Sequence, residues 1–331
     1  MLKWLQIAII ALVVVPIAMA VYSLAQLMPD FESPTEEAIR AATRGASLVP
    51  EPLSIKIYSH FEVHSGNGNT IRVYTRESDA ATANVLLVHG AGSGAWAWEF
   101  YFEMLPSHLN IYALSWRGHF DSSPVQYANS SDYIDDQVAT MRAIRLRNYL
   151  PIHVIGHSYG AATVVLQTAR MDSNQFTSMT LLAPVVPIEL TVSQRVLLPL
   201  IAPVFIEREN SIDGIYGGMF LSKNRMRYFF DKYAGQDFSD EHYGLIAEDG
   251  VSHAWQMELQ DAFSKVATRQ IPMLMVIARL DNVVVPARQR QIASRLGMTL
   301  VHADSGHYLP LDGLAHAVIR EVTNFISSTT N

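Results

Sequence analysis

The sequence predicts an α/β protein: a mostly parallel central sheet with helices on both faces and a helical insertion over one end. Two observations carry that prediction. Short apolar runs recur at 84–88, 110–115, 152–156, 178–183, 273–278 and 299–302, and most are separated by stretches long enough for a helix, the pattern of a parallel sheet buried on both faces. One interval, from Ala183 to Met273, is far longer than an ordinary crossover and marks an inserted segment.

In chain order, residues 1–28 read first as a membrane segment. No charged residue occurs from Trp4 to Met28, a length that reaches the roughly 20 residues spanning a hydrocarbon core. Lys3 precedes the run and Asp30, Glu32, Glu36 and Glu37 follow it, so the expected orientation puts the remainder of the chain outside the cytoplasm, in the periplasm or at the cell surface. A signal peptide cut after Ala20, giving a secreted protein, is the alternative; the apolar run continues beyond Ala20 and favours the anchor. Residues 29–52 are polar and proline-containing, a linker. "LSIKIYSHFEVHS" and "NTIRVYTRE" alternate around "GNGN" at Gly66–Asn69, a hairpin. The core is expected over 53–187 and 269–331. A cap is expected over 188–268, where "QRVLLPLIAPVF", "GGMFLSKNRMRYFFDKY" and "HAWQMELQDAF" are helix-compatible.

Composition narrows the function. A chain of 331 residues, 49% hydrophobic, can bury a substantial core. A net charge of −7 supplies no basic field for nucleic acid. The absence of cysteine removes disulfides, thiolate metal sites and a thiol nucleophile together. No metal or cofactor is expected.

Two stretches carry chemistry. In "VLLVHGAGSGAWAW", Val85–Trp98, Gly90, Gly92 and Ala95 fit the spacing of a dinucleotide-binding turn, while His89-Gly90 fits a loop that supplies half of an oxyanion hole. In "IHVIGHSYGAATVVLQ", Gly156-His157-Ser158-Tyr159-Gly160 is G-x-S-x-G between an apolar strand and a helix, the setting that projects a serine hydroxyl above a sheet. Such a serine needs a base oriented by an acid. Asp281 follows the strand in "PMLMVIARLD", and His307 follows the next one in "MTLVHADSGH", so Ser158, Asp281 and His307 stand in nucleophile, acid, base order. Asp304 competes as the acid; His302 and His316 read as structural, and His157, inside the elbow, is expected to point its side chain away from substrate. The dinucleotide reading needs a carboxylate at the end of the following strand, which instead reads "YALSWRG" and offers only Arg117, for a phosphorylated ribose.

With these motifs in place the sequence resembles the α/β-hydrolase superfamily, in the cap-containing branch of lysophospholipase-like esterases. The resemblance rests on His89-Gly90 with "GAWAW", "WRGHFDSS", "GHSYG", "ARLDNVVVP" and "SGHYL". It implies the α/β-hydrolase fold, Ser158 as nucleophile, His307 as general base and then acid, Asp281 as the orienting carboxylate, and an oxyanion hole from the backbone N–H groups of Ala91 and Tyr159. It also implies a small-molecule ester substrate, and the hydrophobic cap suggests an apolar group on it, with Phe120, Phe220, Trp255 and Met257 as candidate contacts. Relatives that attack with aspartate, such as haloalkane dehalogenases and epoxide hydrolases, do not fit Ser158. A lyase using the same triad and a non-catalytic binding protein remain the alternatives. The sequence departs from the family at Ala278 and Phe120, where glycine is frequent.

Overall fold

The computed structural model describes residues 54–125, 128–171, 175–187, 219–221, 249–251, 253–281, 283–312 and 314–330. The segments 1–28 and 29–52 and most of 188–252 lie outside the described residues, so the expected anchor and the first part of the expected cap do too. Among the described residues no helix is long and apolar enough to cross a membrane.

The hairpin forms from β1 (Ser59–His64) and β2 (Thr70–Arg76), antiparallel with His64 opposite Thr70. Its tip is a 3-10 turn, Gly66–Gly68, where Gly68 adopts φ +77, a left-handed conformation that suits a residue without Cβ. The stretch before it departs from expectation: Ser54–Ile57 is a 3-10 turn, not strand, because Ile55 is drawn into the core and its N–H bonds to the Glu99 carboxylate at 3.1 Å.

The apolar runs become β3 (Ala83–Val88), β4 (Leu109–Leu114), β5 (Ile152–His157), β6 (Ser178–Leu182), β9 (Met273–Ala278) and β10 (Thr299–Ala303). Eight strands make one sheet in the order β1-β2-β4-β3-β5-β6-β9-β10, in which β2 runs antiparallel to both its neighbours and every other pairing from β4 to β10 is parallel. Alternate residues of these strands feed two cores. Leu86, Val88, Tyr112, Leu114 and Val154 face the layer of α2 (Ser130–Arg147), α3 (Tyr159–Arg170), α4 (His253–Ala267) and α5 (Pro286–Leu296). Val85, Leu87, Ile111, Ala113 and Ile155 face the segment of Trp96, Trp98 and α1 (Glu99–Met104), together with α6 (Ala315–Thr329). Burial on both faces is what makes the strands read as unbroken apolar runs.

Helix ends follow local chemistry. Asn129 caps α2 in a reciprocal box with Asp132, and Arg145 and Arg147 occupy its last turn. Pro286 opens α5, and Gly297 closes it at φ +63.

The insertion departs from expectation in one element of its secondary structure and in the packing of another. Within "GGMFL", β7 (Met219–Leu221) pairs antiparallel with β8 (Asp249–Val251). The helix α4, read from sequence as part of the cap, packs on α3, with Leu259, Ala262, Phe263 and Val266 buried in the same cluster as the sheet. It lies in the crossover between β6 and β9, and its buried residues join the cluster that also holds Met179, Leu181 and Met275.

Candidate active site

Ser158 sits between β5 and α3 with φ 53 and ψ −116, a conformation that costs a non-glycine residue about 1–3 kcal/mol. The elbow is held by its neighbours. Ser158 N–H donates to Leu182 O at 2.9 Å, and Ser158 O accepts from Val185 N–H at 3.1 Å and Ala162 N–H at 3.3 Å. The flanking glycines are dictated by close approach: a Cβ on Gly156 would lie 2.6 Å from Ala161 Cα, and one on Gly160 would lie 2.1 Å from the His89 carbonyl oxygen. The sharp turn therefore lifts the serine side chain above the carboxyl edge of the sheet.

The base and acid arrive from the next strands along that edge. The β9–β10 ladder continues past both strand ends, Arg279 N–H to Ala303 O at 2.8 Å and Leu280 N–H to Ser305 O at 3.0 Å, which brings the two following loops side by side. The Asp281 carboxylate is divided in function. Oδ1 accepts from Val283 N–H at 2.8 Å and Val284 N–H at 2.9 Å, a turn cap. Oδ2 accepts from His307 Nδ1–H at 2.9 Å and from Gln289 Nε2–H at 3.2 Å. His307 Nε2 in turn accepts from Ser158 Oγ–H at 2.8 Å. With Nδ1 committed to a carboxylate that can only accept, the imidazole keeps Nε2 unprotonated toward the serine. All three residues are buried.

His307 hangs on a loop that must reach from β10 at the sheet's edge to β5 near its middle. Two contacts brace it. Ser305 Oγ–H bonds Asp312, whose other oxygen caps Leu314 N–H at 2.9 Å. His157, inside the elbow, donates Nε2–H to the His307 carbonyl at 2.9 Å. Burial pushes the His157 imidazole well below its ordinary pKa, so it remains neutral in this role.

The loop after β3 closes the other side. Gly90 approaches so near that a Cβ there would lie 2.8 Å from His157 Nδ1 and 3.2 Å from Ser158 Cβ, which brings this loop against the elbow. His89 anchors this loop: its Nδ1–H donates to Gly90 O at 2.8 Å, and its Nε2 accepts from Trp116 N–H at 3.2 Å. Burial holds His89 neutral as well. Tyr159, the residue after the serine, opens α3. Its ring packs edge-on against Trp116 and Tyr133, at 5.9 and 6.1 Å between centroids.

The remaining candidates separate. Asp304 forms an exposed ion pair with Arg279 at 2.7 Å, away from His307 Nδ1. His302 and His316 are exposed, on β10 and α6. Arg117, the residue left to a phosphorylated ribose, is committed to Asp136 at 2.6 Å and Asp132 at 3.0 Å, both on α2. Phe120 occupies φ 46, which gives a backbone reason for the glycine frequent there in the family. Its ring packs on Tyr74 at 6.0 Å, under Lys56 Nζ at 5.3 Å. The side chains of Phe220, Trp255 and Met257 lie outside the described part of the structure. Gln289 and His157 are the partners that sequence reasoning missed; their side-chain bonds join residues distant in sequence and leave no local signature.

A strained serine hydrogen-bonded to an aspartate-oriented histidine, on the carboxyl edge of a strand order 1-2-4-3-5-6-9-10, defines a hydrolase of the α/β class. The chain belongs to the alpha/beta hydrolase family, whose model matches residues 85–321. Structural similarity agrees at low identity. A membrane phospholipase A described as a bacterial virulence factor superposes with a TM-score of 0.58 at 16% identity, covering 100% of both chains. A thermophilic esterase from Thermogutta terrifontis, malate bound, gives 0.55 at 14%, over 82% of this chain and 100% of its own. An alpha/beta hydrolase from Novosphingobium aromaticivorans gives 0.54 at 16%, over 81% and 98%. A search of the curated proteins finds no match.

Proposed function

We propose that the protein is a serine hydrolase that cleaves carboxylic esters through an acyl-enzyme on Ser158. The observation that carries this reading is the continuous relay of Ser158 Oγ, His307 and Asp281, with links of 2.8 and 2.9 Å. Ser158 Oγ attacks the ester carbonyl as its proton passes to His307 Nε2. The negative oxygen of the tetrahedral intermediate takes hydrogen bonds from the backbone N–H groups of Ala91 and Tyr159, a contribution of about 3 kcal/mol per donor in other hydrolases. As the intermediate collapses, the imidazolium returns that proton to the departing alkoxide and the acyl group stays on Ser158. Water then repeats the sequence: its proton goes to His307, its oxygen to the acyl carbon, and the acid leaves as Ser158 recovers its proton.

An ester is favoured because an esterase and a phospholipase A stand among the structural relatives. An apolar acyl or alcohol group, met by Phe220, Trp255 and Met257 of the insertion and by Phe120 of the loop after β4, is the substrate feature this reading assigns. The uncharged run Trp4–Met28 supports anchoring at a membrane with the catalytic part outside the cytoplasm. A panel of p-nitrophenyl esters of increasing chain length, run beside matched anilides, tests the substrate class. The expected result is ester turnover with kcat/KM rising with acyl length, abolished in Ser158→Ala. Anilide turnover exceeding that of the matched esters overturns the ester assignment.

A further inference from the structure

The oxygen of Asp281 that faces His307 is shared. Besides His307 Nδ1–H at 2.9 Å, Oδ2 accepts from Gln289 Nε2–H at 3.2 Å, and the second amide hydrogen of Gln289 goes to Val284 O at 2.9 Å. Gln289 lies on α5 and is fully buried. Both of its neighbours, a carboxylate and a carbonyl, accept only, so the amide must turn its nitrogen toward them. Its Oε1 is left buried with no hydrogen-bond partner among the described residues. A methionine or leucine would fill the same space without stranding an acceptor. What a hydrocarbon could not supply is the donor pair.

We propose that Gln289 is a positioning residue of the relay, holding the plane of the Asp281 carboxylate so that His307 keeps Nδ1–H toward Oδ2 and Nε2 toward Ser158. The two backbone donors on Oδ1 hold one oxygen of the planar carboxylate, and Gln289 holds the other, so both resist the same rotation. Rotation about the bond from Cβ to the carboxyl carbon would carry Oδ2 off the imidazole, and the Gln289 amide adds a side-chain restraint on that rotation at the oxygen His307 uses. Because Gln289 also bonds Val284 O, it ties the carboxylate to the turn that caps Oδ1, so the whole acid-bearing loop moves as one piece. The inference rests on the reading of Asp281 as the orienting acid, and its test separates the two.

The test is a double-mutant cycle on the full chain with Gln289→Met, Asp281→Ala and the pair, measuring kcat and KM on a soluble p-nitrophenyl ester. Asp281→Ala is expected to lower kcat by about a thousandfold or more. Gln289→Met alone is expected to lower kcat about tenfold and to leave KM within about twofold, the signature of a misplaced rather than an absent group. In the Asp281→Ala background the same Gln289→Met change is expected to alter kcat by less than about twofold, because its target is gone. The wild type is expected to show a low-field proton resonance for His307 Nδ1–H, which should broaden or shift upfield in Gln289→Met. An equal loss of kcat in both backgrounds, or an unchanged resonance, overturns the positioning role. Undiminished kcat in Asp281→Ala overturns the acid assignment instead. Should Gln289→Met not fold, Gln289→Leu removes the same donor pair and is expected to show the same dependence on background.

Discussion

Replacing Glu99 by glutamine should remove a pH-dependent weakness from the fold. Glu99 begins α1, is fully buried, and accepts Ile55 N–H at 3.1 Å, fastening the first described turn to the core. Burial raises its carboxyl from the ordinary 4.5 to about 8, with the Ile55 bond pulling the other way. Below pH 4.5 the group is protonated in both the folded and the unfolded chain and contributes its full stability. Between there and about pH 8 the unfolded chain has released the proton while the folded chain retains it, so stability falls as pH rises, by about 1.4 kcal/mol per pH unit. The loss is complete above the folded value and amounts to about 5 kcal/mol. The glutamine side chain would keep the acceptor for Ile55 and cannot ionise. Urea unfolding of both proteins from about pH 5 to about pH 9 should show Glu99→Gln close to wild type at the acid end and progressively more stable toward the alkaline end. A difference that does not vary with pH, or one that grows toward acid, refutes the argument.

Two further perturbations probe the frame of the site. Gly160→Ala puts a methyl 2.1 Å from His89 O and 2.6 Å from Val88 O, both backbone, so the elbow or the loop after β3 must shift; a loss of about 3 kcal/mol or more and a collapse of kcat are expected in paired unfolding and rate measurements. A Gly160→Ala protein with wild-type stability and rate would contradict the close packing of those two segments. His157→Phe removes the donor to the His307 carbonyl while keeping a ring, and should lower kcat about tenfold, whereas His157→Gln, which returns an Nε2–H at similar reach, should recover most of it. Equal rates in the two variants would assign His157 to packing alone.

The strands could be read from the sequence because burial on both faces writes them as continuous apolar runs, and β9 falls where it is expected, at Met273–Ala278. The triad could be read for a related reason: on a parallel sheet, residues just past strand ends share one edge, so Ser158, Asp281 and His307 converge without any contact between their sequence neighbourhoods. Three features were not legible. The amphipathic period of α4 is the same whether it covers the sheet or caps it, and only packing on α3 distinguishes the two. The alternation in "LSIKIY" suits a strand, yet the Ile55 bond to Glu99 draws the chain into a 3-10 turn. Gln289 lies between Arg288 and Arg290 in a polar stretch that reads as a solvated face, and its burial follows from where α5 sits relative to Asp281. Phe120 illustrates the converse case. The sequence marked it as unusual, and its positive φ supplies the reason.

The central claim is that Ser158 is a nucleophile activated by His307, and reaction with a fluorophosphonate probe tests it most directly, because the probe forms a covalent bond with an activated serine whatever the natural substrate. The wild-type chain should be labelled at Ser158, with labelling abolished in Ser158→Ala and strongly slowed in His307→Ala. Undiminished labelling of Ser158→Ala would contradict the account.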